Sequence, residues 1–321
     1  MSPISFLVLL CLPVSIARIL GLGLPSSPRF TRNDGVDEYG PFMEPAHVVD
    51  GLATYDLGDG EPVLLIPYPH GHTAEPMSEG PLARILVRMG RRVITFDPPG
   101  AFGSTREPTV DMAEMIACAI EALEASGVRG PLDVVGHSMG GLVSLGIALE
   151  RPDLVQSLVL ISSFSGFPSA IRHGLPGSCY RFWELDYWRL VFWGLRVQAG
   201  LANLSIHKRL QNLMEGASFY DGSFFSPLEI HPGDDHRGVP IRMGWTRVNA
   251  GITYEERLGE VEAETLVIAG RHDPESPLAC SEELREGIGG ARLVIFEGSG
   301  HHPFIEEEVS FTRVLSEFLG R

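Results

Sequence analysis

Ser138 lies in the run Val134-Val135-Gly136-His137-Ser138-Met139-Gly140-Gly141. This is Gly-x-Ser-x-Gly, with an apolar strand-like run at 132–135 before it and a helical stretch at 138–150 after it. A strand that becomes a helix so abruptly forces the serine backbone into strain. Side chains at 136 and 140 would collide across such a turn, so only small residues fit there. The hydroxyl of Ser138 is then lifted above a sheet edge at a helix N-terminus, and the Met139 N–H points to where an oxyanion would develop. With 37 glycines in 321 residues the pattern alone is weak, and its weight comes from the flanking strand and helix.

A serine hydroxyl needs a base, and the base needs a group to orient it. For this kind of turn the chain order is serine, acid, histidine. The apolar run 265–269 is followed by Gly270-Arg271-His272-Asp273-Pro274, so Asp273 falls just past a strand's carboxyl end. The run 292–296 is followed by Glu297-Gly298-Ser299-Gly300-His301-His302-Pro303, so His301 or His302 reaches Ser138 from the same edge. The chemistry implied is attack on a carbonyl carbon through a covalent intermediate.

The elements that must position these groups alternate. Apolar runs at 63–66, 92–96, 132–135, 158–161, 265–269 and 292–296 read as strands. Helical patterns fall near 81–90, at 112–123 ending at Gly127, at 138–150 and at 303–319. A hairpin is expected at Asp50-Gly51, between 47–49 and 52–57. Strands alternating with helices predict an α/β fold, a doubly wound and mostly parallel sheet. About a hundred residues between 162 and 265 break the rhythm and hold all four tryptophans (183, 188, 193, 245). A structureless loop of that length is not expected in a compact domain, so an inserted helical lid over the carboxyl edge is the better reading. The division expected is a hydrophobic leader and extended arm at 1–45, a core of 46–163 and 250–321, and a lid at 164–249. Most lid aromatics are expected to pack within the lid, with Trp183 and Trp188 facing a substrate.

From about residue 46 to the C-terminus the chain resembles the α/β-hydrolase superfamily, least closely in the lid. The resemblance implies that Ser138, Asp273 and His301 form a catalytic triad, with His301 rather than its neighbour as the base. It also implies a fold with a helical lid and a reaction that needs no cofactor. Serine at 138, where the epoxide hydrolase and haloalkane dehalogenase branches carry aspartate, argues against those branches. The stretch Phe96-Asp97-Pro98-Pro99-Gly100-Ala101-Phe102-Gly103-Ser104 looks like a family loop, with Asp97 structural. The second oxyanion donor of such proteins comes from the loop after the strand at 63–66, which here reads Pro67-Tyr68-Pro69-His70-Gly71-His72. Counting from the strand end selects Pro69, which has no N–H. Anchoring on His70-Gly71 selects His72, with Tyr68 as the alternative. His70 and His137 are expected to shape the pocket. Carboxylic esters, lactones or thioesters of small apolar acids are the first substrate reading. A proline iminopeptidase-like aminopeptidase and a carbon–carbon bond hydrolase are alternatives, and a non-catalytic ligand receptor is a reading from a different class.

Composition excludes other classes. Lys plus Arg total 25 and Asp plus Glu 41, a formal charge of −16, which disfavours nucleic acid and anionic surfaces as partners. A small-molecule substrate is expected. Cysteines at 11, 118, 179 and 280 form no Cys-x-x-Cys pair, and His70, His72 and His272 match no metal-binding pattern, so no metal is expected. Cys118 on an apolar helical stripe fits a reduced, cytoplasmic protein. The uncharged stretch before Arg18 is an exception. It lacks a basic start and a cleavage site, and Pro13 interrupts it, so it reads as a leader, a signal or an anchor. Any membrane contact would run through residues 4–24.

Overall fold

The computed structural model describes residues 43–69, 76–107, 109, 111–173, 183–198, 204–227, 249 and 251–320. Eight strands form one sheet: β1 (His47–Val49), β2 (Leu52–Leu57), β3 (Pro62–Ile66), β4 (Arg92–Phe96), β5 (Leu132–His137), β6 (Val155–Ile161), β7 (Glu264–Gly270) and β8 (Arg292–Phe296). Their spatial order is β1-β2-β4-β3-β5-β6-β7-β8. β1 and β2 are antiparallel to each other, β2 is antiparallel to β4, and every later pairing is parallel. Asp50 and Gly51, both at positive φ (46° and 79°), make the tight turn of the β1–β2 hairpin.

The central strands are apolar on both faces, so alternate residues feed two separate cores. Leu64, Ile66, Val134, Leu158, Leu160 and Val267 pack on one side, against α2 (Met112–Ala125), α3 (Met139–Glu150) and α7 (Leu278–Gly287). Val63, Leu65, Val135, Val159, Leu266 and Ile268 pack on the other, against α1 (Pro81–Arg88) and α9 (Glu308–Leu319). Pro81 opens α1, and the Asp111 carboxylate caps α2 by accepting the Ala113 N–H. Cys118 and Cys280 are buried free thiols inside the first core.

Between β6 and β7 the described residues form α4 (Phe167–His173), α5 (Leu185–Gln198) and α6 (Leu204–Ser218). The single helix expected over 303–319 is two. A short α8 (Pro303–Glu306) stops at Glu307, whose φ of −129° leaves the helical region, and α9 begins at the next residue. Glu307 turns back to accept the Gly298 N–H and the Ser299 hydroxyl, and that capture accounts for the break. No helix among the described residues is long and apolar enough to cross a membrane. Residues 4–24 lie outside the described residues.

The chain leaves β3 for β4 on one side and returns to β5 on the other, so a topological switch falls between β3 and β5. In open α/β sheets the crevice at that point, beyond the carboxyl ends of the strands, is where ligands bind. One carboxylate at this edge is purely architectural. Asp97, fully buried after β4, accepts hydrogen bonds from the Tyr55 hydroxyl (2.7 Å) and the Gly103 N–H (2.8 Å). Burial pushes its carboxyl up to about 6, against the pull of those two donors. A carboxyl that holds its proton more tightly folded than unfolded favours folding below its unfolded value of roughly 4. That contribution is lost as pH rises through 6. Asp97→Asn, neutral throughout, should therefore gain stability over the wild type between pH 4 and 7, by on the order of 3 kcal/mol. Urea titrations across that range measure the difference, and a gap independent of pH would refute the burial argument.

Candidate active site

The site is assembled from the turns that follow β5, β7 and β8. Ser138 follows β5 at φ 53° and ψ −121°, outside the ordinary regions for an L-residue, and the helix α3 starts at Met139. The turn is braced on both sides. The Ser138 N–H donates to Ile161 O (2.8 Å), and the Ser163 hydroxyl donates to Ser138 O (2.9 Å). A Cβ placed on Gly136 would lie 2.3 Å from Ser144 Oγ and 2.5 Å from Gly140 O. One placed on Gly140 would lie 2.8 Å from Ile66 O, so the chain leaving β3 runs directly against the start of α3. The first N–H groups of a helix have no partner within it, and Met139 supplies such a donor beside Ser138.

Asp273 follows β7 and is buried. Its Oδ1 accepts the backbone N–H groups of Glu275 (2.8 Å) and Ser276 (2.9 Å), which fixes the carboxylate plane. Its Oδ2 lies 2.8 Å from Nδ1 of His301, which follows β8. A carboxylate oxygen accepts, so Nδ1 carries the proton and Nε2 is left as the basic nitrogen of the neutral ring. His301 is buried beside His137, the residue before Ser138, with ring centroids 4.6 Å apart. The arrangement has the parts of a proton relay: a hydroxyl at a strained turn, an imidazole, and a carboxylate held by three donors.

His302 is not equivalent to His301. It packs against Phe219, Phe304, His137 and His301. Burial, then the neighbouring His301, lowers its imidazole to about 3, so it is a poor proton acceptor. His137 does not line a pocket as expected. It is 1% exposed, and both ring nitrogens are engaged, with the Tyr68 hydroxyl and with His301 O. Trp183 and Trp188 are 63% and 56% exposed, so they face outward rather than towards an enclosed site. Their place in the segment between β6 and β7 is readable in the sequence, but not which way each ring turns. His70 and His72 lie outside the described residues, and Tyr68 is the last but one described residue of its loop. Among the described residues no group of three or more His, Cys, Asp or Glu is placed to hold a metal ion.

Several positioning groups carry no local sequence signal. The chain leaving α6 grips both functional loops. Ser218 O accepts the His301 N–H (2.7 Å), the Ser218 hydroxyl donates to the buried Glu275, and the Tyr220 ring stacks on His272 at 4.0 Å. Glu306 accepts the N–H groups of Tyr220 (2.7 Å) and Asp221 (3.1 Å) with one oxygen and that of Gly300 (2.7 Å) with the other. The run Glu306-Glu307-Glu308, two residues past His301-His302-Pro303, does not by itself show which carboxylate makes these contacts.

Residues 68–308 match the family model described as alpha/beta hydrolase fold. The chain is 31% identical over 281 residues to the 2-hydroxymuconate semialdehyde hydrolase of Pseudomonas putida, covering 83% of this chain and 89% of the other. It is 28% identical to the 2-hydroxy-6-oxo-6-(2'-aminophenyl)hexa-2,4-dienoic acid hydrolase of Metapseudomonas resinovorans, covering 83% and 86%. A solved meta-cleavage product hydrolase from Pseudomonas fluorescens superposes with a TM-score of 0.59 at 22% identity, covering 84% of this chain and 94% of that one, a likeness of fold.

The crowding at the turn after β5 predicts the cost of disturbing it. Gly136→Ala should destabilise the protein by about 1–3 kcal/mol, because the new methyl meets a backbone oxygen that cannot move aside. Chemical denaturation followed by circular dichroism measures this, and an unchanged midpoint would show that the turn has slack.

Proposed function

The chain belongs to the alpha/beta hydrolase family, and from that premise we propose a serine hydrolase that breaks a bond to a carbonyl carbon. Its proposed substrate class is the 2-hydroxy-6-oxo-dienoic acids, in which a carbon–carbon bond is hydrolysed. The observation that carries the mechanism is the 2.8 Å contact of His301 Nδ1 with Asp273 Oδ2, beside a strained Ser138. Substrate choice rests on the similarity to two hydrolases named for such compounds.

In this reading Ser138 Oγ attacks the 6-oxo carbon while His301 Nε2 takes its proton. Asp273 holds the ring and stabilises the imidazolium. The Met139 N–H, with a second donor from the loop after β3 (His72, or Tyr68 in its place), binds the oxyanion. The carbon–carbon bond then breaks. For that bond to break the 2-hydroxydiene first moves its hydroxyl proton to C5, giving the 2-keto tautomer. The electron pair then passes into the conjugated keto acid as a dienolate, which takes the proton from His301, and the acyl group stays on Ser138. Water, deprotonated by His301, hydrolyses the acyl-enzyme, restoring the serine and releasing a carboxylic acid. None of these steps requires a cofactor. Residues 164–249 act as a lid that keeps bulk water from the acyl-enzyme.

Cleavage of carboxylic esters, lactones or thioesters is the second reading, because the same groups and the same acyl-enzyme serve an oxygen or sulfur leaving group equally well. Turnover of a 2-hydroxy-6-oxo-dienoate, followed by loss of its visible absorbance, is expected to exceed turnover of p-nitrophenyl esters and of a proline naphthylamide. The reverse order among the first two would move the enzyme to the ester reading, and naphthylamide cleavage alone to an aminopeptidase. Ser138→Ala should lose all turnover and all labelling by a fluorophosphonate. Labelling that persists in the variant would sink the nucleophile assignment.

A further inference from the structure

His137 is buried against four rings, those of His301 (4.6 Å), Phe304 (5.0 Å), His302 (5.3 Å) and Tyr68 (5.4 Å). A histidine so enclosed cannot touch a substrate, yet both of its nitrogens are used. Nε2 lies 2.8 Å from the backbone oxygen of His301. A carbonyl oxygen only accepts, so Nε2 carries the hydrogen. Burial, and then the nearby His301 and His302, hold the ring well below the usual imidazole range, so it is neutral. Nδ1 is therefore an acceptor, and Tyr68 Oη, 2.5 Å away, donates to it.

The two bonds cross the elbow. Tyr68 belongs to the loop that leaves β3, with Pro67 and Pro69 fixing φ on either side of it. His301 belongs to the loop that leaves β8, four strands from β3 in the sheet order. His137 itself is the last residue of β5, next to Ser138. We propose that Tyr68 and His137 are positioning residues. Together they form a hydrogen-bonded strut beneath Ser138 that fixes the loop after β3 relative to the backbone of His301. The proposal rests on the Ser138–Asp273–His301 reading above. His301 is then held at three points: its N–H by Ser218, its carbonyl by His137 and its Nδ1 by Asp273. The loop after β3 is tied to the same point. Tyr68, at the start of the loop that would supply the second oxyanion donor, and the proposed base are thereby set as one unit, ahead of the chemistry, as preorganised catalysis demands.

Three substitutions separate the two halves of the strut. Tyr68→Phe removes the donor to Nδ1. His137→Gln keeps a donor at the Nε2 position and removes the acceptor, so it breaks the same bond from the other side. His137→Asn keeps an acceptor at the Nδ1 position and breaks the bond to His301. The readout is fluorophosphonate labelling of Ser138, which needs no knowledge of the substrate. Tyr68→Phe and His137→Gln should each lower the maximal labelling rate about tenfold, with half-saturation unchanged within about twofold, and the double variant should be no slower than either single one. His137→Asn combined with Tyr68→Phe should be slower than both. Full labelling rates in folded Tyr68→Phe, or multiplicative losses in the Tyr68→Phe/His137→Gln pair, would overturn the strut. No labelling of the wild type at all would instead overturn the nucleophile reading. If the variants do not fold, imidazole 15N NMR of the intact Ser138→Ala protein still decides. His137 should show hydrogen on Nε2 alone from pH 5 to pH 9, and a protonated Nδ1 would overturn the proposal.

Discussion

The turn between β5 and α3 has no room for a side chain at Gly136 or Gly140, and the rest of the site is arranged around that fact. The close approach of α3 to β3 follows from it, since a Cβ on Gly140 would collide with Ile66 O. So does the positive φ of Ser138, a conformation costing on the order of 1–3 kcal/mol that survives only where neighbours over-determine it. Here Ile161 O, Ser163 Oγ and the first turn of α3 all hold it. β5 is buried along its whole length, and its neighbours β3 and β6 are buried at all positions but Pro62 and Gln156, so the strain is carried by closely packed sheet.

The proposed base is held quite differently. His301 sits on a loop rather than on a strand, and its position is determined by groups from three distant parts of the chain. Ser218 comes from the helical segment between β6 and β7, Asp273 from the turn after β7, and His137 from the end of β5. Glu306 adds a link by accepting from both Gly300 and the 220–221 backbone. Any displacement of the end of α6 therefore withdraws an acceptor from the His301 N–H. The end of α6 and the placement of His301 are thereby coupled, because a buried N–H without a partner costs about 1–3 kcal/mol.

This division explains what the sequence disclosed. The elbow, the alternation of strands and helices, and the places of Asp273 and His301 after β7 and β8 are local patterns, carried by neighbours in the chain. Tyr68 and His137 are 69 residues apart, and His137 and His301 are 164 apart. Nothing in either segment announces the other, so His137 reads as a pocket residue when it is a buried link. The same limit applies to α5. Trp188 and Phe192, four residues apart, lie on one face of α5, but only packing decides that this face is exposed. The split at Glu307 was hidden for another reason. Glutamate is a good helix former, and its capture by Gly298 and Ser299 is a tertiary event that outweighs propensity.

Two aspartates make the last step clear. Asp97 and Asp273 both follow strands of the same sheet, and both are buried. Asp97 has two donors on one oxygen, and its other oxygen is buried without a partner, which is why burial raises it to about 6. Asp273 has two backbone donors on one oxygen and an imidazole on the other, so neither oxygen is left unpaired. With 41 acidic residues in the chain, neither abundance nor position after a strand selects the one that pairs with His301. The selection is made by where donors converge. Those donors are supplied by the backbone at 275–276 and by a histidine whose own place depends on the elbow beneath it.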